Sequence, residues 1–324
     1  MGAQPFDFGK ATFHFFNVFG RKPAAVIWIA LWQAMLNAGL MYLAFVTIGD
    51  FYIWILGEAF SGTGPDEAEM FNRMGSIMSV GPLISIGGML IALMAQGAWL
   101  RLLVRDEMAP LIPFRLAGDE LHLFATNVGL LGIAIGLYFL FALVLVFTGV
   151  AVGLAAAGGG SSNAGLAGGL TFAIAVLVML GLALFIGVRV SAAPAATVLE
   201  RRIAFPAWSV TKGKFWPVLG AYILVAVMLM VLGGAFMMVV NFAFLGALMP
   251  VFQELFLAAQ TGIEPNPEAL LGALEEAVTS TGAQISLVSA GLVMLFFRSV
   301  YDAIWHSVGA SVAIQSQATQ PVSE

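Results

Sequence analysis

The sequence predicts an all-α polytopic membrane protein, with six transmembrane helices joined by short interfacial amphipathic helices. Three observations carry that prediction. First, 60% of the residues are hydrophobic and only 10% are charged, where a soluble domain carries about 25% charge. Second, the uncharged stretches are long: 27 positions over 23–49, 27 over 74–100, 66 over 123–188, 39 over 215–253 and 21 over 277–297. A helix crosses the hydrocarbon in about 20 residues. Third, the lysines and arginines alternate with these stretches so that nearly all fall on one side.

Each element follows from the pattern in turn. In PFDFGKATFHFFNVFGRKP (5–23), Phe8, Ala11, Phe15 and Phe19 share one helical stripe before Gly20 and Pro23. Residues 1–23 are therefore expected to lie as a helix in the interface, phenylalanines toward the acyl chains. More than twenty residues precede the first apolar run, which is too long for the core of a signal peptide, so it is expected to stay as a span. Spans are expected near 24–48, 76–104, 127–154, 166–190, 217–249 and 283–310, followed by a tail at 314–324. The 66-residue stretch must hold two of them, because AAAGGGSSNAGLAGG (155–169) is small, flexible and averse to helix. LAGDELHLFATNVG (116–129) offers Asp119 as a cap for a helix leading into span three. Span five is too long for an upright crossing and should tilt, bend near Gly233–Gly234 or project outward. NPEALLGALEEAV (266–278) has Asn266 as cap, Pro267 at the first helical position, and Leu270, Leu271, Leu274 and Val278 along one side. It is expected to pack over the outer ends of the bundle. The whole layout is compatible with three helical-hairpin repeats, each an interfacial helix, a span, an outer loop and a span.

Twelve of the 13 cations share a face; Arg73 alone lies opposite, among ten carboxylates. Because Lys and Arg are retained on the cytoplasmic side, both termini are expected in the cytoplasm. On that face Arg21, Lys22, Arg101, Arg105, Arg115, Arg189, Arg201, Arg202, Lys212 and Lys214, with Trp208 and Trp216, are expected to meet lipid headgroups. Phospholipids are thus the expected partners, joined by a membrane protein or a second copy of the chain. A net charge of −5 gives no reason to expect nucleic acid.

Within the spans the polar side chains are few. Gln33 and Asn37 lie one turn apart in span one, Gln96 is in span two and Asn241 in span five; each needs a hydrogen-bond partner, and pairing between helices is the expected source. Arg298 and Asp302 are four apart and can pair on one helix face. Glycines 87, 88, 129, 132, 136, 233 and 234 would permit close helix approach, Gly132 and Gly136 forming a GxxxG match.

No catalytic residue, metal site or cofactor is expected. There are no cysteines. The three histidines (His14, His122, His306) all map to the cytoplasmic interface, without metal-ligand spacing. Serine-hydrolase, zinc-protease, Walker and dinucleotide-binding motifs are missing.

The segment VRVSAAPAATVLERRIAFPAWSVTKGKFWPVLGAYIL (188–224) resembles the signature turn of a bacterial six-span family. That family comprises the membrane domain attached to some glycerophosphodiester phosphodiesterases and related stand-alone inner-membrane proteins. The matching positions are Arg189, Pro194, Trp208, Ser209, Thr211, Lys212, Gly213, Phe215 and Trp216, and LVRDEMAPLIPFRLAGDEL (103–121) is similar to a second cytoplasmic turn of members. The resemblance implies the six-span layout. It does not extend to the phosphodiesterase, whose domain would follow the last span, about a dozen residues before Glu324. The functional expectation is a non-enzymatic, phospholipid-interacting inner-membrane protein, an accessory or envelope-homeostasis factor. The alternative is a transporter or channel for a small or lipid-like solute.

Overall fold

The computed structural model describes residues 6–61, 64, 66–109, 111–157, 162–262 and 266–318. Among them every regular element is helical: α1 (Phe8–Thr12), α2 (His14–Arg21), α3 (Pro23–Ser61), α4 (Glu67–Arg105), α5 (Gly118–Ala157), α6 (Ser162–Val190), α7 (Ala193–Glu200), α8 (Phe215–Ala247), α9 (Met249–Thr261), α10 (Pro267–Thr279) and α11 (Thr281–Gln317). Six of these, α3, α4, α5, α6, α8 and α11, are long and apolar enough to cross a membrane. The chain is a multi-pass α-helical membrane protein.

The six spans form antiparallel hairpins, α3 on α4, α5 on α6 and α8 on α11, with α11 also packed on α3, α4 and α7. At 39 residues, α3 and α4 are each about 58 Å long, nearly twice a hydrocarbon core of about 30 Å. Their ends therefore stand out of the bilayer. Burial is concentrated at one end of the bundle, where Asp7 and Gln315 also meet. Asp7 N–H donates to Gln315 Oε1 at 2.8 Å, and Gln315 Nε2 donates back to Asp7 O at 3.2 Å. That end collects the start of α3 (Ala25, Val26, Ile29, Ala30), the end of α4 (Trp99, Leu100, Leu102), all of α7 and the last turns of α11 (Ala303–Ala313). At mid-helix, Tyr138, Phe139 and Phe147 of α5 and Leu177 of α6 point outward; lipid is the solvent that suits them.

Several expectations are revised by packing. The N-terminal stripe is not one helix. The chain breaks at Phe13, and Ala11, Phe15 and Val18 enter the protein core while Phe8 and Phe19 stay exposed. Between α6 and the loop lies α7, whose Ala193–Val198 are all buried; its alanines let it slot between α4, α5 and α11. α8 runs unbroken through Gly233–Gly234, and its excess length turns into α9 instead. In α10 it is Ala273 and Ala277 that are buried, with Leu271 exposed, so the face is rotated from the leucine stripe, and α10 packs on α9 and α11. Val278's side chain lies outside the described residues. α11 continues to Gln317, taking up the start of the expected tail; residues 319–324 lie outside the described set.

The glycines divide in the same way. Gly87 and Gly88 face Leu40 of α3 so closely that an added Cβ would sit 3.2–3.3 Å from it, whereas Gly132 and Gly136 have nothing within 4 Å. The GxxxG match is therefore not a contact. Gly309 is packed against backbone at the α6–α7 junction: an added Cβ would lie 2.8 Å from the Ser191 carbonyl oxygen and 3.3 Å from Tyr222 Oη. Gly309→Ala is expected to lower stability by about 1–3 kcal/mol through overpacking. Gly132→Ala should be neutral or stabilising by up to about 1 kcal/mol. Thermal melts in detergent compare the two, and equal effects would contradict the packing described.

Candidate functional site

The polar side chains of the spans converge at one level, above the buried end. Gln33 of α3, only 4% exposed, is the hub. Its Oε1 accepts from Trp99 Nε1 of α4 at 2.9 Å and from Ser299 Oγ of α11 at 2.5 Å, and its Nε2 donates to Asp302 Oδ2 at 3.2 Å. Asp302 in turn faces Arg298 Nε at 3.3 Å through Oδ1, the pairing their spacing predicts. A single amide thus ties α3, α4 and α11 together in a region where water cannot compete. Asn37 only donates to the Gln33 carbonyl at 2.9 Å, and Asn241 to the Met237 carbonyl at 2.7 Å. Both stay within their own helices, outside the cluster.

A second amide pair joins the next hairpin. Asn127 Nδ2 of α5 donates to Gln96 Oε1 of α4 at 2.7 Å. Gln33, Gln96, Asn127, Arg298, Asp302 and His306 line one cavity of about 420 Å³ between α3, α4, α5 and α11. Its other walls are Met89, Leu93, Phe124, Val128 and Leu131. On the far side of the amide pair a cavity of about 540 Å³ lies among α5, α6, α8 and α11, walled by Leu130, Leu180, Leu184, Leu219 and Trp305. Gln96, Asn127 and His306 belong to both. Asn127 and His306 escaped the sequence reading. Asn127 sits at the expected edge of span three, and His306, one helical turn beyond Asp302, shares the face of α11 that lines the cavities. The full site is apolar-walled with a few convergent polar groups, the make-up of small-molecule pockets.

The cations expected at the headgroups mostly bind the chain itself. Arg101 is the clearest correction: its side chain is 4% exposed and pairs with buried Glu120 of α5, while its Nη2 donates to Pro113 O at 3.0 Å. It staples the α4–α5 loop and does not reach lipid. Arg105, 9% exposed, is bound to Asp119 and lies 3.3 Å from Glu107. Lys22 pairs with Asp106 at 2.9 Å, Arg201 with Glu107 at 3.2 Å and Arg202 with Glu200 at 2.8 Å. Arg115 lies 3.9 Å from Asp119 and is half exposed. Arg189 stacks over Phe185 and Lys214 over Phe6; partial burial lowers the Lys214 pKa from its ordinary value. Arg21, Lys212, Trp208 and Trp216 are exposed. The loop carrying Trp208 is pinned from beneath by Thr211, which is fully buried and donates to Arg189 O at 3.0 Å.

The histidines do not converge, and no group of three or more metal-ligating side chains occurs among the described residues. His14 joins α2 to α4, with Nε2 2.9 Å from Leu103 O. Burial lowers its pKa below 6.5, a charged Arg21 adds to this, and the Leu103 carbonyl opposes it. The fold therefore disfavours the protonated form of His14. Below about pH 6.5 the unfolded chain takes up this proton more readily than the folded one, so stability should fall as pH drops, by at most about 1.4 kcal/mol per unit. Melts from pH 7.5 to 5.5 test this, and His14→Asn should flatten that part of the profile.

Comparison with protein-family models, with curated proteins and with solved structures finds no match.

Proposed function

We propose that this chain is a non-enzymatic, phospholipid-binding protein of a bacterial inner membrane, with both termini in the cytoplasm. One observation carries the reading: a cavity of about 420 Å³ combines six polar side chains with apolar walls inside a bundle whose outer surface is apolar. An amphiphile matches both halves, its polar group among Gln33, Gln96, Asn127 and Arg298 and its chain along Phe124, Val128 and Leu131. Arg298 supports a phosphate in particular. Its side chain is 68% exposed and engages Asp302 through Nε, which leaves the terminal nitrogens of the fork for an outside acceptor. The sorting of 12 of 13 cations to one face of the threaded sequence supports the orientation. A reporter inserted beside Gly160 should be reached from the periplasm; labelling from the cytosol would reverse the topology.

The lipid reading is tested by native mass spectrometry of protein released from nanodiscs. Gln96→Leu with Asn127→Leu should reduce retained phospholipid roughly tenfold, the loss of about 1.4 kcal/mol expected from one or two hydrogen bonds. Unchanged retention would sink the assignment to this cavity.

A second reading, transport of a lipid-like solute, is favoured by the sharing of Gln96, Asn127 and His306 between the two cavities. The chain has no native cysteine, so Gln96→Cys with Asn127→Cys can be bridged across that wall by a short reducible bis-thiosulfonate linker. If solute crosses there, cross-linking stops the movement of a fluorescent phospholipid between vesicle leaflets and reduction restores it. Movement that is insensitive to the bridge argues for binding alone.

A further inference from the structure

We propose that the buried end carries a second, separate site, which takes a phosphate monoester. It lies where the α4–α5 loop, the first turns of α5 and the chain after α7 meet. A cavity of about 350 Å³ there is lined by Arg105, Arg115, Gly118, Asp119, His122 and Arg201, at the small end of the range for ligand pockets.

The charge is unbalanced in favour of an anion. Arg105, Arg115 and Arg201 face two carboxylates, Asp119 and Glu107, so three against two leaves one cation in excess. The nearby Arg101–Glu120 pair is self-contained and adds nothing. The start of the 40-residue α5 opens on the same cavity and contributes about half a positive charge.

An independent observation points to a missing acceptor. Among the described residues, two buried side-chain atoms lack a hydrogen-bond partner, Arg105 Nε and His122 Nδ1. Both residues line this one cavity. Arg105 Nε lies 3.3 Å from Glu107 Oε2 but without hydrogen-bond geometry. A buried Arg105 N–H left without an acceptor costs about 1–3 kcal/mol, and the His122 nitrogen is a second such donor in the tautomer that carries its proton on Nδ1, so this one cavity gathers two groups built around something else. A phosphate monoester presents three terminal oxygens in different directions. It can accept from Arg105, from the His122 N–H and from the Arg115 and Arg201 forks together; a carboxylate, with two oxygens in one plane, cannot. The shared chemistry admits two sources, a lipid headgroup reaching in from the rim or a soluble phosphate compound.

The site is distinct from the interior cavity, and its test is read separately. Full-length protein is placed in phosphatidylcholine nanodiscs and titrated with inorganic phosphate by calorimetry; parallel nanodiscs doped with phosphatidic acid are read by native mass spectrometry. Saturable phosphate binding identifies a soluble source, and selective retention of phosphatidic acid a lipid source. In either arm, Arg115→Gln with Arg201→Gln should weaken binding at least tenfold. Arg115 is half exposed and Arg201 largely so, so the variant should fold, which its melt verifies. Arg115→Lys keeps the charge but loses the fork and should fall between. Lys10→Gln, outside the cavity and paired with Asp7, should bind as the unaltered protein does. The proposal is overturned if neither anion binds saturably, if Lys10→Gln weakens binding as much as the double variant, or if acetate matches phosphate.

Discussion

Glu120→Ala is expected to lower the unfolding free energy by about 3–5 kcal/mol, the range for removing one partner of a buried ion pair. Glu120 is 1% exposed, and its carboxylate receives Arg101 on one oxygen and the Ala117 N–H, at 3.1 Å, on the other. Without it Arg101 keeps a buried charge whose remaining acceptor is Pro113 O. The α4–α5 loop then loses its staple and the first turn of α5 its cap. Chemical unfolding in detergent measures the loss. The cause is isolated by Arg101→Met with Glu120→Leu: replacing a whole buried pair by apolar side chains is often neutral, so the double variant should recover most of what Glu120→Ala gives up. Failure to recover would mean that the loop contact to Pro113, not the uncompensated charge, dominates.

The second large effect is at Gln33. Gln33→Leu keeps the volume but strands Trp99 Nε1 and Asp302 Oδ2, both within the bundle. Ser299 can turn back to its own helix. Two unsatisfied groups at about 1–3 kcal/mol each predict a loss of about 2–6 kcal/mol. Combining Gln33→Leu with Trp99→Phe removes one stranded donor and should restore part of it; strict additivity of the two would show that the hydrogen bond is not shared. Because Gln33 also lines the interior cavity, lipid retention should fall alongside stability. In Gln96→Leu with Asn127→Leu, where the paired groups leave together, retention should fall with less cost to the fold.

These two sites show how the sequence and the structure divide the information. Composition and the uncharged stretches were enough for the class of fold and for six helices near their observed places. That signal is local: each span must satisfy its own solvent, so its length and apolarity are written in consecutive residues. The pairing of Arg298 with Asp302 was legible for the same reason, since four residues is one helical turn.

What lay beyond the sequence depends on separations no local pattern encodes. Arg101 and Glu120 read as a rim cation and a helix-start acid until the α4–α5 loop folds one onto the other. Gln33 meets Ser299 and Asp302 across more than 260 positions, and Asn127 gains meaning only opposite Gln96. His306 enters the bundle because it shares a face of α11 with Asp302, one turn away, and α7 is buried because its alanines fit a gap that other helices define. The bilayer dictates which stretches cross it, so crossing was determined by the sequence alone. Which polar groups share a cavity was decided by the tertiary structure, because a lone amide or charge in an apolar bundle is stable only where a partner from another helix meets it.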